Sequence, residues 1–78
     1  MRKKELKLVV TFHTTADAMA MEKACKAHAV PGRLIPVPRV LSAACGLSWA
    51  APLEARGQVE NVMVEKGIEK DALHECMV

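Results

Sequence analysis

Pro36 and Pro38, with only Val37 between them, constrain the fold more than any other feature of the chain. Each lacks a backbone N–H and drives the residue before it toward extended geometry. The run from Arg33 to Val37 therefore reads as a strand, but one placed at a sheet edge and stopping near Val37, because an interior strand needs its N–H groups for the ladder. The same prolines blunt that edge against pairing with another chain. A connection from Pro38 to Gly46 follows, and then a second short apolar run, Leu47 to Ala51.

That connection holds a thiol that strand packing does not call for. Structural cysteines usually lie inside helices or strands, where they act as small hydrophobes. Cys45 sits instead in a linking segment, with Arg39 and Ser42 before it and Gly46 after it. Ser42 is suited to cap a short helical turn, which makes Cys45 its third residue, near the partly positive helix start. Both that position and Arg39 favour thiolate over thiol, so the expected pKa is lowered. Gly46 leaves one side of the sulfur free of a side chain and lets the backbone turn sharply into the next strand. The plainer alternative is that Cys45 fills a gap beneath the loop.

The rest of the chain supplies the frame. Leu6, Leu8, Val10 and Phe12 alternate with Lys7, Val9 and Thr11, the period of a strand with one well-buried face. His13-Thr14-Thr15 ends it, and Thr14 with Asp17 starts a helix in the manner of a capping box. The helix is expected to reach about Ala29, with Ala18, Met21, Cys25 and Ala29 on its inner face, and Pro31-Gly32 to stop it. After the Leu47–Ala51 strand, Pro52 is placed to open a second helix, with Glu54 in its first turn. Gly57 weakens the start of that helix, Val59, Val62, Met63 and the stem of Lys66 form its inner stripe, and Gly67 caps it. A loop over 69–72 leads to a last strand, Leu73 to Met77.

The order β-α-β-β-α-β is that of an α+β, ferredoxin-like split fold: a four-stranded antiparallel sheet with both helices on one face. The chain divides into a flexible basic start at 1–5 and a single domain over 6–78. Strand directions put three connections at one end of the sheet: strand one to helix one, strand two to strand three, and helix two to strand four. His13, Thr14 and Thr15 are thereby expected on the same rim as Arg39, Ser42 and Cys45, with the free N–H groups of the first helix available to support an anion.

Composition narrows the function classes. At 78 residues the chain is one domain near the lower size for a self-sufficient core, so a homodimer is a natural supplement. A net charge of +2, with one Trp, one Phe and no Tyr, gives neither a basic surface nor a stacking platform for nucleic acid. The apolar run after Arg2-Lys3-Lys4 is too short for an export signal or a membrane span, which points to the cytoplasm. Three widely spaced cysteines make no disulfide framework. His13, His28 and His74 lack ligand spacing with them, so no metal or other cofactor is expected. His13 reads either as an imidazole partner for Cys45 or as a solvated loop residue. His28 reads as surface, and Cys25 as core. Trp49 is either a core plug or part of an exposed sheet face; sharing a face with Leu47 favours burial. Cys76, with His74 on one face of the last strand, reads as packing rather than as a resolving thiol.

Phe12-His13-Thr14-Thr15 with Asp17-Ala18, Arg33-Leu34-Ile35-Pro36, Pro38-Arg39 and Ser42-Ala43-Ala44-Cys45-Gly46-Leu47 resemble the small bacterial selenium/sulfur carrier protein-like family over about residues 6–77. The resemblance implies that Cys45 carries sulfur or selenium as a persulfide or perselenide, with Ser42, Arg39 and Gly46 as its setting. It implies a donor protein of the desulfurase kind and an acceptor protein, and a covalent relay with little catalytic machinery of its own. The contrasting reading is a protein-interaction or dimerisation module in which Cys45 is structural. A third reading, a redox-sensing thiol, lacks an adjacent resolving cysteine.

Overall fold

The computed structural model describes residues 5–38, 41 and 46–78. Its elements are β1 (Leu6–Thr11), α1 (Thr15–Ala27), β2 (Arg33–Pro36), β3 (Leu47–Ala51), a 3-10 turn (Leu53–Ala55), α2 (Arg56–Lys66) and β4 (Ala72–Met77). The strands form one antiparallel sheet in the order β2-β3-β1-β4. This is the split β-α-β-β-α-β arrangement, with β2 at an edge as its prolines require. Pro36 closes the β2–β3 ladder opposite Leu47, where its missing donor costs least. At the other end, Glu5 and Val78 exchange two backbone hydrogen bonds of 3.0 Å and so extend the β1–β4 ladder by one pair.

Both helices cover one face. Leu8, Val10, Trp49 and Ala51 from the central strands meet Ala18, Met21, Ala24 and Cys25 of α1 and Val59, Val62 and Met63 of α2. Phe12, just past β1, stays in this core. Trp49 is buried, as sharing a face with Leu47 implies. Its Nε1 has no hydrogen-bond partner among the described residues. Gly32 lies tight against the indole: a Cβ there would come within 2.6 Å of both Nε1 and the Ala50 carbonyl. β1, an interior strand, is also buried on its second face, where Val9 and Thr11 have no exposure.

Four local expectations are corrected. α1 ends at Ala27, before Pro31-Gly32, and Ala29 is exposed rather than on the inner face. Ala29 has φ 56°, and Val30 N–H returns 2.8 Å to the Cys25 carbonyl, so the helix is closed by a left-handed alanine. α2 closes the same way, with Gly67 at φ 66° and Ile68 N–H 2.9 Å from the Met63 carbonyl. Pro52 does not open α2 but precedes the 3-10 turn Leu53–Ala55, which leads into α2 with Gly57 as that helix's second residue. Lys66 is exposed, and Ala55 with Leu53 and Ile68 completes the packing around α2.

Candidate functional site

The strand directions bring three connections to one rim. β1 leaves the sheet at Thr11, opposite Ser48 near the start of β3 and Ala72 at the start of β4. β2 reaches the same end at Pro36. Four hydrogen-bond contacts tie this rim together among the described residues. Val37 N–H donates 3.0 Å to the Gly46 carbonyl, forming a closed neck for the connection between β2 and β3. Asp71 N–H donates 2.7 Å to the Thr11 carbonyl. The buried Thr11 hydroxyl lies 3.3 Å from Asp71 Oδ2 and 3.4 Å from the Ala72 carbonyl, two acceptors for one proton.

Of the residues expected here, His13, Thr14, Thr15 and Gly46 are described. Arg39, Ser42 and Cys45, together with the helical turn expected at Ser42, lie outside the described residues. Gly46 has φ 75°, a left-handed backbone that suits glycine, and a Cβ there would meet nothing within 4 Å. Its constraint is conformational rather than steric. Thr14 is the N-cap of α1: its hydroxyl accepts from Asp17 N–H at 3.2 Å and donates to the Asp17 carboxylate at 2.9 Å. Asp17 therefore already sets a negative charge at the positive helix start. Thr15 begins the helix, ahead of the first intrahelical bond from Ala18 N–H to the Thr14 carbonyl.

His13 is exposed on the rim, with Nε2 3.8 Å from Asp71 Oδ1, an ion-pair contact rather than a hydrogen bond. Asp71 was not legible as a site residue. Its only sequence signal is its place just before the last strand, and the fold alone brings it 58 positions back to His13. The β1–β3 register, Leu8 with Ala51 through Thr11 with Ser48, would set His13 opposite Gly46 if continued two steps.

The other two thiols have different surroundings. Cys25 is fully buried in α1, and burial pushes its thiol up to about 11, so it remains protonated at neutral pH. Cys76 is half-buried on the face of the sheet away from the helices, opposite Lys7, with Sγ 3.8 Å from the Met77 carbonyl. His74 shares that face opposite Val9, and His28 is the exposed C-cap of α1. A cleft of about 450 Å³ lies at the opposite end of the sheet, lined by Glu5, Lys7, Gly32 and Arg33 among others, and contains none of the candidate residues. Among the described residues no three His, Cys, Asp or Glu side chains converge as metal ligands, and no helix is long and apolar enough to cross a membrane.

The model of the family described as "Putative Se/S carrier protein-like" matches residues 7–75. Comparison with curated proteins and with solved structures finds no match.

Proposed function

Because the chain belongs to the selenium/sulfur carrier protein-like family, matched from residue 7 to residue 75, we propose that it is a covalent chalcogen relay with Cys45 as the carrier thiol. The family match is the observation that carries this reading. The fold supports it by gathering three connections at one rim and closing a neck, Val37 to Gly46, beneath the segment that holds Cys45.

The chemistry is thiol exchange with sulfane sulfur. The Cys45 thiolate attacks the outer sulfur of a donor persulfide, R–S–SH. The new bond gives Cys45–S–SH, the donor S–S bond breaks, and its electron pair leaves on R–S⁻. No external oxidant or reductant is consumed. A selenium donor follows the same balance with selenium as the outer atom. Exchange is fastest when the attacking thiol titrates near ambient pH, which is the service asked of Arg39 and of the backbone N–H groups after Ser42. The first-turn amides at Thr14 and Thr15 are further donors for the bound anion, in competition with Asp17. Carriage implies two protein partners, a desulfurase-like donor and an acceptor.

Intact mass spectrometry tests this directly. Incubation with a cysteine desulfurase and cysteine, or with a selenium-releasing enzyme and selenocysteine, adds one sulfur or selenium to the wild-type protein. Reductant removes it, and Cys45→Ser never acquires it. An unmodified wild-type protein, or equal loading of Cys45→Ser, contradicts the proposal.

A further inference from the structure

We propose that β4 pairs edge to edge with β4 of a second copy of this chain, antiparallel about a two-fold axis at Cys76, to give a homodimer with one continuous sheet. The proposal does not rest on the carrier reading. The two edges of the sheet are not alike. Glu5 and Val78 exchange two backbone hydrogen bonds, and bonded pairs alternate along an antiparallel ladder, so Lys7–Cys76 and Val9–His74 are bonded pairs in turn. Leu73, Glu75 and Met77 therefore turn their N–H and C=O groups away from β1, toward the open edge. Among the described residues the only hydrogen-bond contact those groups make is from the Cys76 thiol to the Met77 carbonyl, at 3.8 Å. On β2 the bond from Val37 N–H to the Gly46 carbonyl sets the phase: Leu34 and Pro36 face outward, and Pro36 has no N–H to offer. Proline protects β2. β4 carries no proline, and its one formal charge, Glu75, is offset by Arg56 at 3.8 Å, so the edge does not repel a copy of itself.

An edge of alternating donors and acceptors is met by another extended strand, and an antiparallel copy supplies the same groups in matching order while closing the assembly at two. Neighbours in a strand point to opposite faces, so pairing like-facing residues requires the axis to pass through a residue of β4. An axis at Glu75 opposes two carboxylates, which is destabilising. An axis at His74 opposes two imidazoles and sets the exposed Met77 against Asp71 of the second copy. An axis at Cys76 opposes two small side chains. It makes Glu75 and Met77 of opposite copies the bonded pairs and brings the two Met77 side chains diagonally together. Met77 is 54% exposed beside its β1 partner Leu6, at 46%, so this contact closes over the exposed apolar end of the ladder. The two Cys76 residues then form a non-bonded pair with Cα atoms about 4.5 Å apart, within disulfide range.

Sedimentation equilibrium in the presence of reductant, at rising protein concentration into the millimolar range, is the test. The wild-type mass is expected to climb from 8.5 kDa toward twice that value and no further. Glu75→Pro removes an outward N–H and leaves the β1–β4 bonds in place, so it is expected to weaken association by about tenfold or more, through one lost edge bond on each copy. Glu75→Gln keeps the N–H and loses only the Arg56 ion pair, and is expected to associate as the wild type does. The axis is read with diamide, which oxidises two thiols to one disulfide and is itself reduced to the hydrazine. In the Cys45→Ser protein, peptide mass spectrometry is expected to show a Cys76–Cys76 bridge between copies that Glu75→Pro suppresses. A wild-type mass of 8.5 kDa at every concentration overturns the proposal whether or not Glu75→Pro folds, and leaves the edge to an extended segment of another protein. A folded Glu75→Pro protein that associates as the wild type does also overturns it, and association without the Cys76 bridge overturns the axis.

Discussion

The two faces of the sheet are built from the same strands and differ in side-chain size. Toward the helices the central strands present Leu8, Val10, Trp49 and Ala51; away from them they present Val9, Thr11, Ser48 and Ala50. All eight are buried, the second four without joining the helix-covered core. Each face carries one valine and one alanine, and the difference lies in Leu8 and Trp49 under the helices against Thr11 and Ser48 on the other side. The cysteines divide accordingly. Cys25 is sealed into the covered side and protonated, and Cys76 stands half-buried on the other.

The sharpest way to break this comparison is to empty one position on each face. Trp49→Ala should cost about 3 to 5 kcal/mol, since the indole fills the covered core and leaves a cavity. Val9→Ala should cost about 1 to 3 kcal/mol, the value of one buried aliphatic side chain with fewer packed neighbours. Urea denaturation measures both, and equal losses would erase the distinction between the faces.

The covered face also predicts a pH effect. Cys25 titrates near 9 when unfolded and about 11 when folded, because burial disfavours its thiolate. The native state therefore keeps a proton that the unfolded state loses. The resulting stability is fully present below pH 9 and declines by about 2 to 3 kcal/mol as pH rises from 9 to 11. Cys25→Ala should flatten that decline, and Cys76→Ala should leave it in place, as denaturation midpoints across pH would record.

The smallest effect lies at the helix ends. α1 and α2 close with the same backbone return, but α1 uses Ala29 in a left-handed conformation where α2 uses Gly67. Ala29→Gly should raise stability by about 0.5 to 1 kcal/mol, and Gly67→Ala should lower it by a similar amount. Thermal melts of the pair of variants test the equivalence of the two ends.

Much of this architecture was legible in the chain. The two prolines placed β2 at an edge, the period-two pattern located β1, and the shared face of Leu47 and Trp49 indicated burial. Strand direction alone then brought the connection after β1 and the connection between β2 and β3 to one end of the sheet. Other features left no readable trace. Ala29 is a good helix former, so nothing in its identity marks a left-handed closure. Val9 reads as the outer side of an amphipathic strand, yet it is fully buried in the interior strand β1. Asp71 meets Thr11 and His13 only through the fold, which sequence proximity does not provide. The chemistry of Cys45 was read from Arg39, Ser42 and Gly46, and of that setting only Gly46 falls within the described residues.

The central claim is that one thiol of the three carries the chalcogen. After incubation with a cysteine desulfurase and cysteine, differential alkylation followed by peptide mass spectrometry assigns sulfane sulfur to each cysteine separately. The account predicts a reductant-labile +S on the Cys45 peptide, none on Cys25 and at most a trace on Cys76. Sulfur spread equally over Cys45 and Cys76, or absent from Cys45, would contradict it.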